Sequence, residues 1–317
     1  MLITILGGGS WGTALALHLA RKSHTVRVWE FFQEQADEMQ QQRYCRLLPG
    51  VKLPGNITVS HQMEKVLPGS ELIIMAVPSD KVEKTMEAAS ALVPALIQQP
   101  IIIASKGFAS NLRLLSDVVT EKVSGEVYCL YGPTHAEEVC QGLFSGIVLA
   151  GGKGKERLRT EIESPTLKVD LSDDIIGVQV CAALKNILAI LIGVLDGKGL
   201  GDNAKAFVMT KGLDEIRQVG LKWGAKTETF YGLAGLGDVI VTCTSVHSRN
   251  FHVGREIGKG RKLAVVLPEM KMVAEGVTTA KSIPELCNRF NLNLPLLMGT
   301  SAVLFEGKEM MKVLEES

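Results

Sequence analysis

The chain has 317 residues, with 34 basic and 34 acidic side chains and a formal net charge of zero. This length exceeds what one hydrophobic core usually organises, which favours two domains. Binding to nucleic acids or anionic membranes depends on an excess of Lys and Arg, which a neutral chain lacks. Any anionic ligand must therefore be held by a local group of basic side chains.

The start of the chain, its apolar segments and its cysteines all bear on where the protein resides. The first predicted strand begins at Leu2, which leaves no room before it for a signal or transit peptide. The longest apolar stretch, about residues 187–195, is too short to span a bilayer. The six cysteines and six histidines lack metal-ligand spacing. An even number of cysteines is compatible with disulfides, but we expect free thiols, no metal site and a cytoplasmic protein.

The first half alternates apolar strands with helical segments, which predicts a doubly wound parallel sheet of the Rossmann type. A helix is expected at 11–22. Two of the predicted strands are rich in Ile, as strands buried on both faces should be. The predicted strands cover residues 2–6, 25–29, 71–77, 100–105, 127–131 and 146–150.

Helical periodicity replaces the strand pattern after about residue 173. Residues 164–174, with Pro165 and an acidic run, are predicted to link two domains. We therefore expect a nucleotide-binding domain at 1–174 and an all-α substrate-binding and catalytic domain at 175–317. The predicted helices of the second domain cover residues 175–195, 203–219, 247–258, 278–290 and 295–306.

A glycine-rich loop lies between the first predicted strand and the first predicted helix. Gly7, Gly9 and Gly12 form the pattern G-x-G-x-x-G. The first glycine permits a tight turn, the second lets a pyrophosphate approach the backbone, and the third lets helix and strand pack closely. A kinase glycine loop would lie between two strands. A plain turn is the remaining alternative, but the surrounding βαβ pattern predicts a dinucleotide site.

The end of the second strand is expected to meet the adenosine ribose. Glu30 stands there, about twenty residues after the loop, where an acidic side chain accepts hydrogen bonds from ribose hydroxyls and repels a 2′-phosphate. Glu30 is followed by Phe31 and Phe32 and not by an arginine. We also place Phe31 in the cofactor site. The pattern favours NAD over NADP. The alternative is that Glu30 is a solvated loop residue.

Further polar groups lie at predicted strand ends and on the predicted helix at 175–195. Lys106 ends a strand beside Gly107 and can reach into the cofactor cleft. Lys185 lies on a helix that is apolar on nearly every face, so it snorkels from the helix edge, pairs structurally with a carboxylate, or is tuned to donate and accept a proton. Asp238, in a Gly-Leu-Gly-Asp turn, is a candidate partner. Ser248 is a candidate N-cap, and its helix start beside Arg249 suits a phosphate; the alternative is a plain cap with a solvated arginine.

Taken together and in this order, the motifs resemble those of the prokaryotic-type glycerol-3-phosphate dehydrogenase family. The combination of a lysine-asparagine helix, a GLGD turn and an SRN helix start is the most specific part of the resemblance. The resemblance spans nearly the whole chain, through GGGSWGTALA at 7–16, VPS at 77–79, SKG at 105–107, GPTHAEE at 132–138, GVQVCAALKNILAI at 177–190, GDNAKAFVMTKGLDEI at 201–216, GLAGLGDVIVTCTSVHSRN at 232–250 and VAEGVTT at 273–279.

The resemblance implies reversible conversion of dihydroxyacetone phosphate to sn-glycerol 3-phosphate with NADH or NADPH, in glycerophospholipid synthesis, by a homodimer. It implies Lys185 as the general acid and base. The residues implied around the substrate are Lys106, Gly132, Thr134, Lys185, Asp238, Ser248, Arg249 and Asn250. Those implied at the cofactor are Ser10, Trp11, Ala136, Arg249, Val273 and Glu275. Members of the family often carry a small residue and then His or Arg where this chain has Glu30 and Phe31, which again favours NAD.

Three rival functions make different demands on the sequence. A hydroxyacid or 6-phosphogluconate-type dehydrogenase shares the two-domain plan and a helical lysine, but it gives no reason for the GLGD and SRN motifs. A dehydrogenase that works through a thiol needs a reactive cysteine with basic neighbours. A non-catalytic NAD sensor has no need of Lys106, Lys185 and Asp238.

Overall fold

The computed structural model describes residues 1–93, 98–270 and 274–317. The chain divides into two compact units, Met1–Ile175 and Ile176–Ser317. The predicted boundary, between residues 174 and 175, lies one residue earlier. The roles assigned to the two domains remain predictions.

The first unit is built on a sheet whose central strands are buried on both faces. In the described part of the chain the spatial order is β3-β2-β1-β4-β5-β6-β7-β8. The strands are β1 (Leu2–Leu6), β2 (Thr25–Trp29), β3 (Ile57–Ser60), β4 (Leu72–Met75), β5 (Ile101–Ile103), β6 (Val127–Tyr131), β7 (Ser145–Gly151) and β8 (Leu167–Ser172). The helices of this unit are α1 (Ser10–Arg21), α2 (Gln33–Gln42), α3 (Met63–Val66), α4 (Val82–Leu92), α5 (Leu115–Thr120), α6 (Ala136–Gln141) and α7 (Lys155–Ile162).

Strands β1 to β6 pair in parallel, which confirms the predicted doubly wound sheet, but the last part of the sheet differs from the prediction. β7 runs antiparallel to β6. The short helix α6 does not carry the chain across the sheet, so β7 starts from the end at which β6 stops. The predicted linker at 164–174 is wrong, because it contains β8, the edge strand. Its buried Leu167 and Val169 alternate with exposed Lys168 and Asp170, and a polar edge strand carries little apolar signal.

The second unit is helical. One predicted helix, 278–290, is two helices, because Pro284 lacks a backbone N–H and starts a new helix after a break at Ser282. The helices are α8 (Ile175–Gly197), α9 (Gly201–Trp223), α10 (Asp238–Thr244), α11 (Arg249–Gly258), α12 (Leu263–Glu269), α13 (Glu275–Lys281), α14 (Ile283–Phe290), α15 (Pro295–Phe305) and α16 (Met310–Glu315).

Helix α8 is the core of this unit. Its 23 residues are long and apolar enough to cross a membrane by length and composition, but 89% of its most apolar window is buried within the protein. α11 packs against it through glycines. A Cβ added at Gly254 would lie 1.9 Å from the Ile190 carbonyl oxygen, and one at Gly193 would lie 2.2 Å from the Phe251 carbonyl oxygen. The two backbones are therefore close enough to fix where α11 begins.

A buried carboxylate anchors a third helix of this unit. Glu215 on α9 is 5% exposed. Its two carboxylate oxygens accept from the backbone N–H groups of Leu296 (2.8 Å) and Leu297 (2.9 Å) in the first turn of α15. These are N–H groups that a helix cannot satisfy itself. Glu215 thus caps a helix that starts eighty residues later in the chain.

Candidate active site

The glycine loop of the first unit is shaped by its own packing at two of its three glycines. Gly7 has φ +121°, and a Cβ there would lie 2.7 Å from the Ala76 carbonyl carbon. A Cβ at Gly12 would lie 1.9 Å from the Gly7 carbonyl oxygen. The turn and the close contact of α1 with the loop therefore require glycine at the first and third positions.

Gly9 is different, because the fold does not require glycine there. Its φ of −65° and ψ of −176° suit any residue, and a Cβ would meet no described atom within 4 Å. Gly9 is the N-cap of α1, and no side chain caps that helix start within the described residues. Open space over uncapped backbone N–H groups fits a pyrophosphate.

The side chain of Trp11, in the first turn of α1, offers a second sign of a ligand. Its indole Nε1 is buried and has no hydrogen-bond partner in the part of the chain that the structure describes. A buried donor without an acceptor is costly. Together with the open space at Gly9, this orphaned donor shows that the loop fits a dinucleotide.

Glu30 is a buried residue and not a solvated one, so the alternative interpretation is wrong. It is 5% exposed, and its Oε1 accepts from the Phe32 backbone N–H at 3.0 Å. Burial raises the pKa of Glu30, while hydrogen bonds from the backbone of Phe32 and Gly8 and the charge of Arg46 act in the opposite direction. Phe31 is 69% exposed and lies edge-on to both Trp29 and Phe32.

The strand ends of the first unit bring three predicted substrate residues together. Lys106 Nζ donates to the Gly132 carbonyl oxygen at 3.3 Å, and Thr134 Oγ1 donates to the same oxygen at 3.1 Å. Ala136, a predicted cofactor contact, is the first residue of α6. The Lys106 ammonium is thus placed at the carboxyl ends of β5 and β6, the edge of a parallel sheet where ligands bind.

In the second unit, Lys185 is buried with the partner predicted for it. Lys185 is 4% exposed and Asp238 is 1% exposed. Lys185 Nζ donates to Asp238 Oδ1 at 2.5 Å and to Thr242 Oγ1 at 2.6 Å. A π-helical turn, Leu233–Gly237, contains the three residues before Asp238 and runs directly into α10, which begins at Asp238. Asp238 and Thr242 are four residues apart on α10, and therefore on one face of it.

Sequence reasoning missed Thr242, although a signal for it was present. The i, i+4 spacing from Asp238 would place its hydroxyl beside the carboxylate once residues 238–244 were recognised as helical. The adjacent Cys243 is buried, and burial raises its pKa to about 12. This thiol is neutral near pH 7, which disfavours the rival function that works through a thiolate.

Helix α11 begins just after Ser248, the residue predicted to cap it. The Ser248 Oγ accepts from the Phe251 backbone N–H at 3.2 Å, which confirms the predicted N-cap. Arg249, the first residue of the helix, is exposed. The buried Asn250 accepts from the Gly276 backbone N–H through its Oδ1 at 3.0 Å. Asn250 thus joins the start of α11 to the start of α13.

Of two predicted cofactor contacts that are two residues apart in the chain, Val273 and Glu275, only Glu275 is described. Glu275 and Gly276 form the first turn of α13. A Cβ at Gly276 would lie 2.7 Å from both the Asn186 carbonyl oxygen and Asn250 Oδ1, so the backbone needs glycine there. Val273 lies outside the described residues. Across the described ranges no three His, Cys, Asp or Glu side chains are grouped so that they could hold a metal ion.

Comparison with known families accounts for both units. Residues 2–156 match the family model described as "NAD-dependent glycerol-3-phosphate dehydrogenase N-terminus", and residues 174–315 match its "C-terminus" counterpart. The chain belongs to the NAD-dependent glycerol-3-phosphate dehydrogenase family. The predicted family, the fold class and the dependence on a nicotinamide cofactor are thereby confirmed.

Individual relatives extend over nearly the whole chain. The glycerol-3-phosphate dehydrogenase [NAD(P)+] of Prosthecochloris aestuarii is 40% identical, over 97% of this chain and 95% of the relative. That of Geobacillus thermodenitrificans is 41% identical, over 96% of this chain and 91% of the relative. The crystal structure of glycerol-3-phosphate dehydrogenase from Coxiella burnetii has a TM-score of 0.94 at 34% identity and covers 99% of this chain and 98% of that one.

The loop glycines yield a paired prediction. Gly9→Ala should change the free energy of unfolding by no more than about 0.5 kcal/mol, yet weaken NADH binding about tenfold or more, because the new methyl group occupies the space over the helix start. Gly12→Ala should destabilise the protein by about 3 kcal/mol, since its methyl group has no room. Urea unfolding and fluorescence titration with NADH measure both effects. An unchanged NADH affinity in Gly9→Ala would contradict the site.

Proposed function

We propose that this protein interconverts dihydroxyacetone phosphate and sn-glycerol 3-phosphate with a nicotinamide cofactor, and that its product serves glycerophospholipid synthesis. The observation that carries the proposal is the buried Lys185 ammonium with its hydrogen bonds to Asp238 and Thr242. A buried lysine is costly unless it is paired. Its position on the core helix α8 favours a proton donor held at a fixed place rather than a surface cation.

Lys185 is proposed as the general acid in the direction of reduction. When bound, the reduced nicotinamide supplies a hydride to the carbonyl carbon of the triose phosphate. Negative charge then grows on the carbonyl oxygen, and the Lys185 ammonium stabilises that charge and donates a proton to the oxygen. In the reverse direction the neutral Lys185 amine accepts the hydroxyl proton. Asp238 favours the ammonium form and, with Thr242, fixes the position of Nζ.

The start of α11 is proposed as the phosphate site. Backbone N–H groups at the N-terminus of this ten-residue helix attract an anion. The Arg249 guanidinium can form two parallel hydrogen bonds with phosphate oxygens. Asn250 is held by its bond to Gly276, so its position is fixed before the substrate arrives. In the first unit, Lys106 and Thr134 are proposed as substrate contacts.

NAD is the proposed preferred cofactor. Residues 7–12 would hold its pyrophosphate, Glu30 its ribose hydroxyls, and the exposed Phe31 ring would lie beside the adenosine. The Glu30 carboxylate is fixed by backbone hydrogen bonds and cannot swing away from a 2′-phosphate at low cost. Arg46 is the nearby cation, and its Nη2 already donates to Gln35 Oε1 at 3.0 Å.

Replacing Glu30 tests the cofactor preference. Wild type should use NADH with a higher kcat/KM than NADPH. Glu30→Ser should raise the ratio of kcat/KM for NADPH to that for NADH about tenfold or more, because it removes a repulsion of more than about 1.4 kcal/mol. Glu34→Ser, which removes an exposed carboxylate on α2, is the matched control and should leave the ratio unchanged. A wild-type preference for NADPH would refute the proposal.

Replacing Lys185 tests the proton donor. Lys185→Met should lower kcat about 100- to 10,000-fold, and it should destabilise the protein by about 3–5 kcal/mol because Asp238 is left buried and unpaired. The double variant Lys185→Met/Asp238→Asn should recover stability but not turnover. NADH oxidation with dihydroxyacetone phosphate and urea unfolding measure the two effects. Lys259→Met, which removes the exposed Lys259 ammonium from its ion pair with Glu256, is the control. Full turnover in Lys185→Met would disprove the assignment.

We also infer a cytoplasmic homodimer. The six cysteines are buried free thiols, which suits a reducing compartment. The family resemblance favours a dimer, and exposed apolar side chains such as Met298 and Met311 supply area for a subunit contact. Sedimentation equilibrium at micromolar concentration should give twice the chain mass of 34.2 kDa. A single species of 34.2 kDa would rule the dimer out.

A further inference from the structure

A buried tyrosine links two strands beyond the point at which their pairing stops. The last paired residues of β5 and β6 are Ile103 and Cys129. Two residues further along each strand, Tyr131 is 1% exposed and its hydroxyl donates to the Ser105 carbonyl oxygen at 2.7 Å. That carbonyl belongs to the peptide group joining Ser105 to Lys106. The tyrosine therefore fixes the peptide plane from which Lys106 extends.

The segment that carries Lys106 is also held on its other side. Ser105 Oγ donates to the Val77 carbonyl oxygen at 2.5 Å, beyond the end of β4. Gly107 has φ +139°, and a Cβ there would lie 2.4 Å from Ser79 Oγ. The backbone on both sides of Lys106 is thus confined, and its orientation toward β6 is set by the Tyr131 hydroxyl.

Lys106 and Tyr131 link the two strand ends reciprocally. The Tyr131 side chain bonds the carbonyl of the residue before Lys106, and the Lys106 side chain bonds the carbonyl of Gly132, the residue after Tyr131. The hydroxyl therefore holds a carbonyl just after β5, and the ammonium holds a carbonyl just after β6. Losing the hydroxyl would remove the bond that sets the orientation of the peptide group joining Ser105 to Lys106 toward β6, and with it the position of the Lys106 ammonium.

A second tyrosine of β6 has a purely structural hydroxyl. Tyr128 is also 1% exposed. Its hydroxyl donates to Glu126 Oε2 at 2.6 Å and accepts from the Gly154 backbone N–H at 3.0 Å. These bonds fix the turn before α7, at the opposite end of the strand from Lys106. The chain therefore contains a matched control for removing a buried tyrosine hydroxyl.

We propose that Tyr131 is a positioning residue that places the Lys106 ammonium for contact with the phosphorylated ketone substrate. This inference rests on the proposed function, in which Lys106 contacts the substrate. This role differs from that of an ordinary core residue, because the effect of Tyr131 on catalysis must depend on the presence of Lys106.

A double-mutant cycle with kcat/KM for dihydroxyacetone phosphate tests this dependence. Tyr131→Phe should lower kcat/KM about tenfold or more, since small misplacements of a positioning group have effects of this size. In a Lys106→Ala background the same change should lower it less than about twofold. Tyr128→Phe should leave kcat/KM within about twofold of its parent in both backgrounds, while the melting temperature falls as it does for Tyr131→Phe.

The outcomes distinguish failure of this inference from failure of the proposed function. If Lys106→Ala keeps wild-type kcat/KM, the proposed substrate contact is wrong and the positioning role of Tyr131 is wrong with it. If Lys106→Ala loses activity but Tyr131→Phe has equal effects in the two backgrounds, or no larger effect than Tyr128→Phe, only the positioning role is overturned. Should Tyr131→Phe unfold at the assay temperature, the cycle is measured at lower temperature with saturating NADH, which stabilises the folded state.

Discussion

The ion pair between Lys185 and Asp238 constrains the whole second unit. Neither group is tolerable in an apolar interior without the other, because an unpaired buried charge costs several kcal/mol. Both charges are almost completely buried, so α8 and α10 must stay in one relative position to keep Nζ and Oδ1 together. The π-helical turn before α10 meets this demand. A Cβ at Gly235 would lie 2.2 Å from the Phe230 carbonyl oxygen, and this close packing fixes where α10 starts.

The same helix that carries Lys185 also fixes the helix start that we propose as the phosphate site. α11 approaches α8 backbone to backbone, through Gly254 against Ile190 and Gly193 against Phe251. Such a contact has little freedom to slide, because the interfering atoms are main-chain atoms and not flexible side chains. The proposed proton donor therefore lies on α8, and the helix start proposed for phosphate binding is positioned by its packing against α8. This makes the apolar character of α8 a requirement of the site as well as of the core.

The sequence predicted the features that depend on local signals. The glycine loop, the burial of Lys185 on an apolar helix and the Ser248 cap all follow from residue type and short-range spacing, whereas Asp238, 53 residues from Lys185 in the chain, could be named only as a candidate partner. The sequence could not predict features set by distant contacts. β8 is too polar to be recognised as a strand. The direction of β7 depends on the end of the sheet at which the chain leaves α6. Glu215 caps a helix that starts some eighty residues later in the chain. Thr242 lies between these cases, since its role emerges only once α10 is known to be a helix.

Chemical rescue tests the central claim most directly, because it asks whether an ammonium group at one position is what the enzyme lacks. In Lys185→Ala, methylammonium or ethylammonium should restore turnover of dihydroxyacetone phosphate in proportion to its concentration, since a small amine can take the place of Nζ beside Asp238. The restored rate should depend on the pKa of the added amine, as expected for a proton donor. Turnover that is the same with and without amine would contradict the account.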